Sequence, residues 1–132
     1  MKNRIASIET AEDTTYNVFI KERLPFGFFG EGNTIEEAKQ DFIDAYHEMK
    51  VRYEAQTSKK IKHTFIFEYD VQSFLKHYST LFSMPALEKL TGINQKQLHH
   101  YRSGLRKPRE AQRKKIEAAL HKLGHELMAI RL

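Results

Sequence analysis

The hydrophobic pattern of this sequence changes once, near residue 70. Before that point, segments with apolar residues at every second position surround one long segment of helical spacing, and after it only helical spacing occurs. Spacing of two is typical of strands that bury one face, whereas spacing of three and four is typical of amphipathic helices. A chain of 132 residues has room for one domain or for two very small ones. The change therefore predicts two modules, residues 1–69 and 70–132.

Charge follows nearly the same division. Residues 1–68 carry twelve acidic and ten basic residues, a net charge of −2, whereas residues 69–132 carry five acidic and twelve basic residues, a net charge of +7. A strongly basic module favours polyanionic partners. The sequence has no cysteine, which excludes disulfides, cysteine-ligated zinc and cysteine nucleophiles. No segment is long and apolar enough for a membrane span, so we expect a cytoplasmic protein.

The first module is predicted to have the order β-β-β-α-β. Thr34 with Glu37 three residues later forms a capping box, which begins a helix that runs to about residue 56. Alternating apolar residues and turn-forming residues between them predict the strands. These strands are placed at residues 5–8, 16–20, 26–30 and 63–70.

Three phenylalanines interleaved with glycines lie just before this helix, and they have two interpretations. They form an exposed aromatic patch that docks a partner, or they fill a small core. A small β-rich unit needs every large apolar residue it has, which favours the core. The three residues are Phe26, Phe28 and Phe29.

Two sets of side chains have the spacing of metal ligands, but each lacks the further ligands that a metal site needs. Glu37, Asp41 and Asp44 share a helical spacing, but the strand centres carry no acids to complete a two-metal cluster. His121 and His125 are four residues apart, and no third ligand accompanies them. We therefore interpret both sets as solvated helix faces and predict no metal, no cofactor and no catalytic residue.

The second module is predicted to be an all-α bundle of four to five helices. Asp70 precedes the first helix, residues 86–91 and 94–103 form the second and third, and a fourth begins at Pro108. A glycine inside a helix costs about 1 kcal/mol relative to alanine. Gly124 therefore leaves two possibilities for the last segment, one continuous helix or two helices that meet at this residue.

The apolar residues of the last helix advance by four, three, four and three, as in a coiled coil. The sequence leaves two interpretations of this seam open. It covers the core of the helical module, or it pairs with its copy in a dimer. Two small modules expose much apolar surface, which favours a homodimer or a higher homo-oligomer. The seam consists of Ile116, Leu120, Leu123, Leu127 and Ile130.

The segment 84–108 has the pattern of a helix-turn-helix. Gly92 supplies the conformational freedom that a sharp turn between two short helices requires. Ile93, Leu98 and Tyr101 are spaced to pack the third helix against the second, which leaves the polar residues of the third helix facing outward. This outward set carries amides and cations and no carboxylate, and it consists of Asn94, Gln95, Lys96, Gln97, His99, His100 and Arg102.

The pattern Gly92-Ile93-Asn94, Leu98, Tyr101 and Gly104, followed by Arg106-Lys107-Pro108, resembles the helix-turn-helix of the Cro and lambda-repressor type. The resemblance implies that the partner is double-stranded operator DNA. By that family's docking geometry, the expected base contacts are Gln95, Lys96 and His100. The expected phosphate contacts are Asn94, Gln97, Arg102, Arg106 and Lys107.

This stretch departs from the resemblance at one position, and further basic residues follow it. Glu88 stands where the family usually has alanine, and a carboxylate is costly to bury. The basic residues after the turn either extend the DNA-binding surface or form a solvated helix face, and we favour the solvated face. They are Arg109, Arg113, Lys114 and Lys115.

Leu24-Pro25 and a helix start made of Gly32, Thr34, Glu36, Glu37 and Ala38 resemble the HicB antitoxin family. The resemblance implies a degenerate RNase H-like fold for the first module, and with the helical module it implies an α+β chain. It further implies that the first module masks a small RNA-cleaving toxin while the second represses the operon. We therefore expect a sequence-specific repressor and antitoxin without enzymatic activity.

Two other functions fit parts of the sequence. One is a helix-turn-helix repressor without a toxin partner, whose first module serves oligomerisation or ligand sensing. The other is a nuclease that uses the RNase H-like fold, which the missing strand acids disfavour. A small basic reading frame beside the gene distinguishes the antitoxin from the first alternative, and cleavage of an RNA–DNA hybrid distinguishes it from the second.

Overall fold

The structure is a computed structural model that describes residues 3–11 and 14–132. The chain divides into two compact units, Met1–Asp70 and Val71–Leu132. The described residues form an α+β fold, as predicted, with a β-β-β-α-β mixed sheet followed by four helices. The first unit contains β1 (Asn3–Thr10), β2 (Tyr16–Ile20), β3 (Phe29–Gly32), α1 (Ile35–Thr57) and β4 (Thr64–Tyr69), and the second contains α2 (Val71–Tyr78), α3 (Met84–Thr91), α4 (Gln95–Ser103) and α5 (Glu110–Met128).

The sheet has the strand order β3-β2-β1-β4. β1 is antiparallel to β2 and parallel to β4, and α1 lies in the chain before β4. Side chains alternate between the two faces of a strand, and every second residue of β1, β2 and β4 packs toward α1. The predicted alternation in β2 and β4 is confirmed. The core of this unit is formed by Ala6, Ile8, Val18, Ile35, Ala38 and Phe42.

The predicted capping box at the start of α1 is confirmed. The Thr34 hydroxyl accepts a hydrogen bond from the Glu37 backbone N–H at 3.1 Å. The Glu37 carboxylate in turn accepts from the Asn33 backbone N–H at 3.0 Å. The exposed Asp41 carboxylate accepts from the Glu31 backbone N–H at 2.9 Å. These two acids therefore bind the backbone beside the helix, in line with the interpretation as a solvated helix face.

The third strand lies later than predicted, at Phe29–Gly32 rather than at residues 26–30. The reason is that Phe26 and Phe28 do not join the ladder but turn their rings toward α1. The ring centroids of Phe28 and Phe42 are 4.9 Å apart. The three phenylalanines thus divide between the two interpretations: Phe28 packs against the core, Phe26 lies half-buried against Tyr46 and Tyr53, and Phe29 is 59% exposed.

Gly30 and Gly32 allow β3 to lie directly against the backbone of α1. A Cβ atom on Gly30 would lie 2.3 Å from the Phe42 backbone nitrogen and 2.5 Å from the Ala38 carbonyl oxygen. A Cβ atom on Gly32 would lie 2.7 Å from the Ala38 nitrogen. Only glycine, which has no Cβ atom, permits this close approach. The strand that packs against α1 is therefore the segment that contains Gly30 and Gly32.

In the second unit, α5 is continuous through Gly124 to Met128, so the last segment is one helix and not two. A single glycine costs only about 1 kcal/mol, and its neighbours in this helix include alanine, leucine and lysine, which are good helix formers. α5 also begins at Glu110 rather than at Pro108, and α3 begins at Met84, two residues before its predicted start.

None of the described helices has both the length and the apolar character that a membrane span requires.

The seam of α5 divides between its two interpretations. Ile116 is buried in the core of the second unit and Leu120 packs against it, so the first part of the seam covers that core. Leu127 and Ile130 are more than half exposed. The rest of this core consists of Leu75, Met84, Leu87, Ile93, Leu98 and Tyr101.

Candidate nucleic-acid interface

The candidate site begins with the short helix α3 and its two ends. The Ser83 hydroxyl accepts from the Ala86 backbone N–H at 3.2 Å, which caps the first turn of α3. The helix ends at Gly92, whose φ is +75° and whose N–H donates to the Glu88 carbonyl at 2.7 Å. A left-handed conformation at this position favours glycine. The prediction that Gly92 supplies the turn is therefore confirmed.

Side chains brace the turn between α3 and α4. The buried Thr91 hydroxyl donates to the Leu87 carbonyl at 2.7 Å and accepts from the Ile93 backbone N–H at 3.1 Å. The Asn94 side-chain oxygen accepts from the Lys96 backbone N–H at 2.8 Å and caps α4. These contacts fix the direction in which α4 leaves the turn.

The loop after α4 is attached to the end of the helix. Gly104 has a φ of +83°, and its N–H donates to the Tyr101 carbonyl at 3.3 Å. The Arg106 backbone N–H donates to the His100 carbonyl, also at 3.3 Å. The side chains of Arg106 and Lys107 are exposed. Two cations thus extend from a loop whose backbone is held beside α4.

α4 has a buried side and an open polar side. Leu98 and Tyr101 are buried in the core of the unit, as predicted. The predicted contact residues all lie away from that core. Of these, Asn94, Lys96, Arg106 and Lys107 are exposed, whereas Gln95, Gln97, His100 and Arg102 are half-buried.

Glu88 binds the first residue of α4, a role that the sequence interpretation missed. Its carboxylate accepts from the Gln95 backbone N–H at 3.2 Å and from the Gln95 side-chain N–H at 3.1 Å. A negative charge at a helix N-terminus is also favourable. The cost expected for this half-buried carboxylate is therefore offset by two hydrogen bonds. The sequence did contain a sign of this role, because Glu88 stands where the Cro and lambda-repressor type usually has alanine.

Two of the predicted phosphate contacts are bonded within α4 itself. The Gln97 amide donates to the Tyr101 hydroxyl at 2.9 Å. An Arg102 guanidinium N–H donates to Nδ1 of His99 at 3.2 Å, which leaves the proton of a neutral His99 ring on Nε2. Arginine has five N–H donors, so Arg102 retains others for an anion, whereas Gln97 retains one N–H.

The ring of His100 has an unused polar atom. Its Nδ1 is buried and has no hydrogen-bond partner among the described residues. Buried polar atoms are nearly always paired in native proteins. Because Nδ1 is closed to solvent, a contact of His100 with a ligand would be made through Nε2.

Lys115 of α5 lies beside the turn that precedes α4. A Cβ atom on Gly92 would be 3.6 Å from Cε of Lys115 and 3.7 Å from its Nζ. The next residue back, Lys114, is exposed like Lys115, but its ammonium group pairs with Glu110 at 3.4 Å. The solvated-face interpretation fits Lys114, whereas Lys115 places its ammonium group at the helix-turn-helix.

The arrangement as a whole offers positive charge and hydrogen-bond donors on a short, capped helix. In the part of the chain that the structure describes, no three His, Cys, Asp or Glu residues are grouped as a metal ion requires. Comparison with protein-family models, with curated proteins and with solved structures finds no match to this chain.

Proposed function

We propose that this protein is a sequence-specific DNA-binding repressor that inserts α4 into the major groove. The observation that carries the proposal is the open polar side of α4, whose opposite side is anchored in the core by Leu98 and Tyr101. The nine residues of α4 make a helix about 14 Å long at 1.5 Å per residue. A helix is about 10–12 Å across with its side chains, so a major groove about 12 Å wide admits it.

The proposed contacts divide by the chemistry of their side chains. A glutamine amide pairs with adenine and a lysine ammonium donates to guanine, so base edges are assigned to Gln95, Lys96 and His100. Phosphate contacts set affinity and register rather than sequence. They are assigned to Asn94, Gln97, Arg102, Arg106 and Lys107.

The protein acts as a homodimer or a higher homo-oligomer in this proposal. Leu127 near the end of α5 and Ile130 just beyond it support the proposal, because both are more than half exposed in the single chain. A two-fold dimer presents two copies of α4 to two half-sites. The operator is then a pseudo-palindrome with half-site centres roughly 34 Å apart.

The first unit is assigned to a protein partner. Its resemblance to the HicB family supports the neutralisation of a small RNA-cleaving toxin in the cytoplasm, and its net charge of −3, from thirteen acidic and ten basic residues, suits a basic, RNA-binding protein. The chain is then the antitoxin of a HicAB-type pair that represses its own operon.

Binding to the DNA upstream of the gene tests the repressor. The protein is titrated against that duplex and against a scrambled duplex of equal length and composition, at about 50 and 200 mM salt. We expect the upstream duplex to bind at least about a thousandfold more tightly. Footprinting of the same duplex measures the half-site spacing. Equal affinity for the two duplexes would show that specific recognition is absent.

Two variants separate base reading from phosphate binding. His100→Ala is expected to change the preference among operator variants. Lys107→Ala is expected to weaken binding to all sequences by about the same factor and to reduce the salt slope by roughly one. If both variants behave alike, the assignment of His100 to a base edge is wrong.

A further inference from the structure

The sheet of the first unit has a second face, turned away from α1, which carries large apolar side chains. Strand register places Phe29 of β3 beside Phe19 of β2, with Ser7 of β1 next in the row. In the neighbouring row, Ile5 of β1 lies beside Ile66 of β4. One apolar residue from each of the four strands therefore lies on this face, in two neighbouring rows.

Three of the four residues of this apolar group are exposed to solvent, whereas Phe19 is half-buried and the neighbouring Ser7 is buried. Phe29 is 59% exposed, Ile66 is 52% exposed and Ile5 is 44% exposed. Single exposed apolar residues are ordinary, but a continuous apolar patch rimmed by polar residues marks an interaction site. Aromatic anchors such as Phe29 supply much of the affinity of protein interfaces.

Carboxylates lie along one border of the group. Register places Glu31, Asn17 and Glu9 side by side across β3, β2 and β1. Glu68 of β4 lies beside Ser7 at the end of the phenylalanine row. None of these three glutamates belongs to an ion pair found among residues 3–11 and 14–132. Their charge is thus left without a cationic partner on the face.

We propose that this face docks a basic protein whose own surface has an apolar centre flanked by lysine or arginine. We call it the open sheet face and define it by Ile5, Phe19, Phe29, Ile66, Glu9, Glu31 and Glu68. Its carboxylates repel the phosphates of nucleic acids and of anionic lipids, which leaves a cationic protein as the complementary partner. The inference rests on the part of the proposed function that gives the first unit a toxin partner, and it is independent of DNA binding.

The test measures how the full chain binds the protein encoded by the small basic reading frame beside its gene. Isothermal titration gives the dissociation constant for the wild type and for variants of the face. Phe29→Ser and Ile66→Ser are each expected to weaken binding about tenfold or more. Glu31→Lys is expected to weaken it by a similar factor and to reduce its dependence on salt. Circular dichroism confirms that each variant keeps the fold.

Matched controls lie on the exposed side of α1. The control variants are Val51→Ser and Glu48→Lys, which match the types of change made on the open sheet face. Val51 is 66% exposed, and Glu48 is exposed and pairs with Arg52. These controls are expected to change the affinity by no more than about twofold.

The outcomes separate the two proposals. If the neighbouring protein binds the wild type and the variants of the face equally, the docking face is wrong and the toxin partnership stands. If no such neighbour exists, or if it does not bind the wild type, both fail and the DNA-binding proposal is unaffected. Self-association of the chain that is lost in Phe29→Ser, in place of partner binding, assigns the face to a second copy and overturns the inference.

Discussion

The Glu88 carboxylate accepts hydrogen bonds from both the backbone and the side-chain N–H of Gln95, at 3.2 and 3.1 Å. This contact connects the two helices of the helix-turn-helix through side chains, in addition to the glycine turn. It also orients the Gln95 amide, because the N–H that faces Glu88 is committed and the carbonyl oxygen remains for another donor. Glu88 thereby acts as a positioning residue for a proposed base contact.

Replacement of Glu88 tests this link in stability and in specificity. We expect Glu88→Ala to lower the free energy of unfolding by about 1–3 kcal/mol, since two hydrogen bonds to a charged acceptor are lost. The freed Gln95 amide is also expected to reduce the affinity ratio between operator and scrambled duplexes. Urea unfolding and DNA titration measure the two effects.

Glu117→Ala is the control for this experiment, because Glu117 is an exposed residue of α5. It is expected to change stability by no more than about 0.5 kcal/mol. An affinity ratio that stays the same in Glu88→Ala while stability falls would limit Glu88 to a structural role.

Adjacent lysines of α5 are expected to differ in their effect on DNA binding. Lys115→Ala removes the ammonium group beside Gly92, so binding to every duplex is expected to weaken and the salt slope to fall by roughly one. Lys114→Ala removes an exposed side chain that pairs with Glu110, and it is expected to leave the slope unchanged. Titrations at several salt concentrations measure both slopes, and equal slopes in the two variants would contradict the assignment of Lys115.

Gly30 is expected to be among the least replaceable residues of the first unit. A Cβ atom there would lie 2.3 Å from the Phe42 nitrogen and 2.5 Å from the Ala38 carbonyl oxygen, and because both are backbone atoms, β3 and α1 would have to separate to make room. We expect Gly30→Ala to cost about 3 kcal/mol or more in the free energy of unfolding. At Gly27 an added Cβ meets nothing within 4 Å, so Gly27→Ala is the control and is expected to stay within about 0.5 kcal/mol. Similar losses in both variants would refute the close packing of β3 on α1.

His63 is expected to make the first unit less stable in mild acid. The His63 backbone N–H donates to the Tyr46 hydroxyl at 3.0 Å, and that hydroxyl and Nδ1 of His63 are hydrogen-bonded at 2.9 Å. Burial lowers the pKa of His63, and the positive charges of Arg4 and Lys50 lower it further. Burial raises the pKa of Tyr46, so its hydroxyl stays protonated.

The direction of the pH effect follows from this lowered pKa. As the pH falls below the ordinary histidine value of about 6.5, the unfolded chain binds a proton at this residue before the folded chain does. The stability that depends on neutral His63 is therefore present above that value and is lost as the pH falls toward the folded-state pKa. Urea unfolding between about pH 7.5 and 5 is expected to show a smaller loss in His63→Gln than in the wild type, and an equal loss in both would contradict the prediction.

Local sequence patterns were sufficient to predict most of the fold. They failed for the elements whose position depends on contacts between residues that are distant in the chain. The alternation in β2 and β4, the Thr34 capping box and the Gly92 turn depend on residues near one another in the chain, and each was predicted. The position of β3 depends on contacts between Gly30 and α1 across the sheet, and no spacing rule contains them. The continuity of α5 at Gly124 follows from the helix stability summed over all its residues. The cost of one glycine is too small to outweigh that sum.

The same division applies to the candidate site. The sequence alone determined that α4 has an apolar side and a polar, cationic side, because helical periodicity assigns each residue to a side. Only the tertiary structure brought Glu88 to Gln95, Lys115 to the Gly92 turn and the glutamates of three strands to one face. These pairs are separated along the chain, and their distances depend on how helices cross and strands align. That information lies in the packing of the elements, which periodicity does not encode.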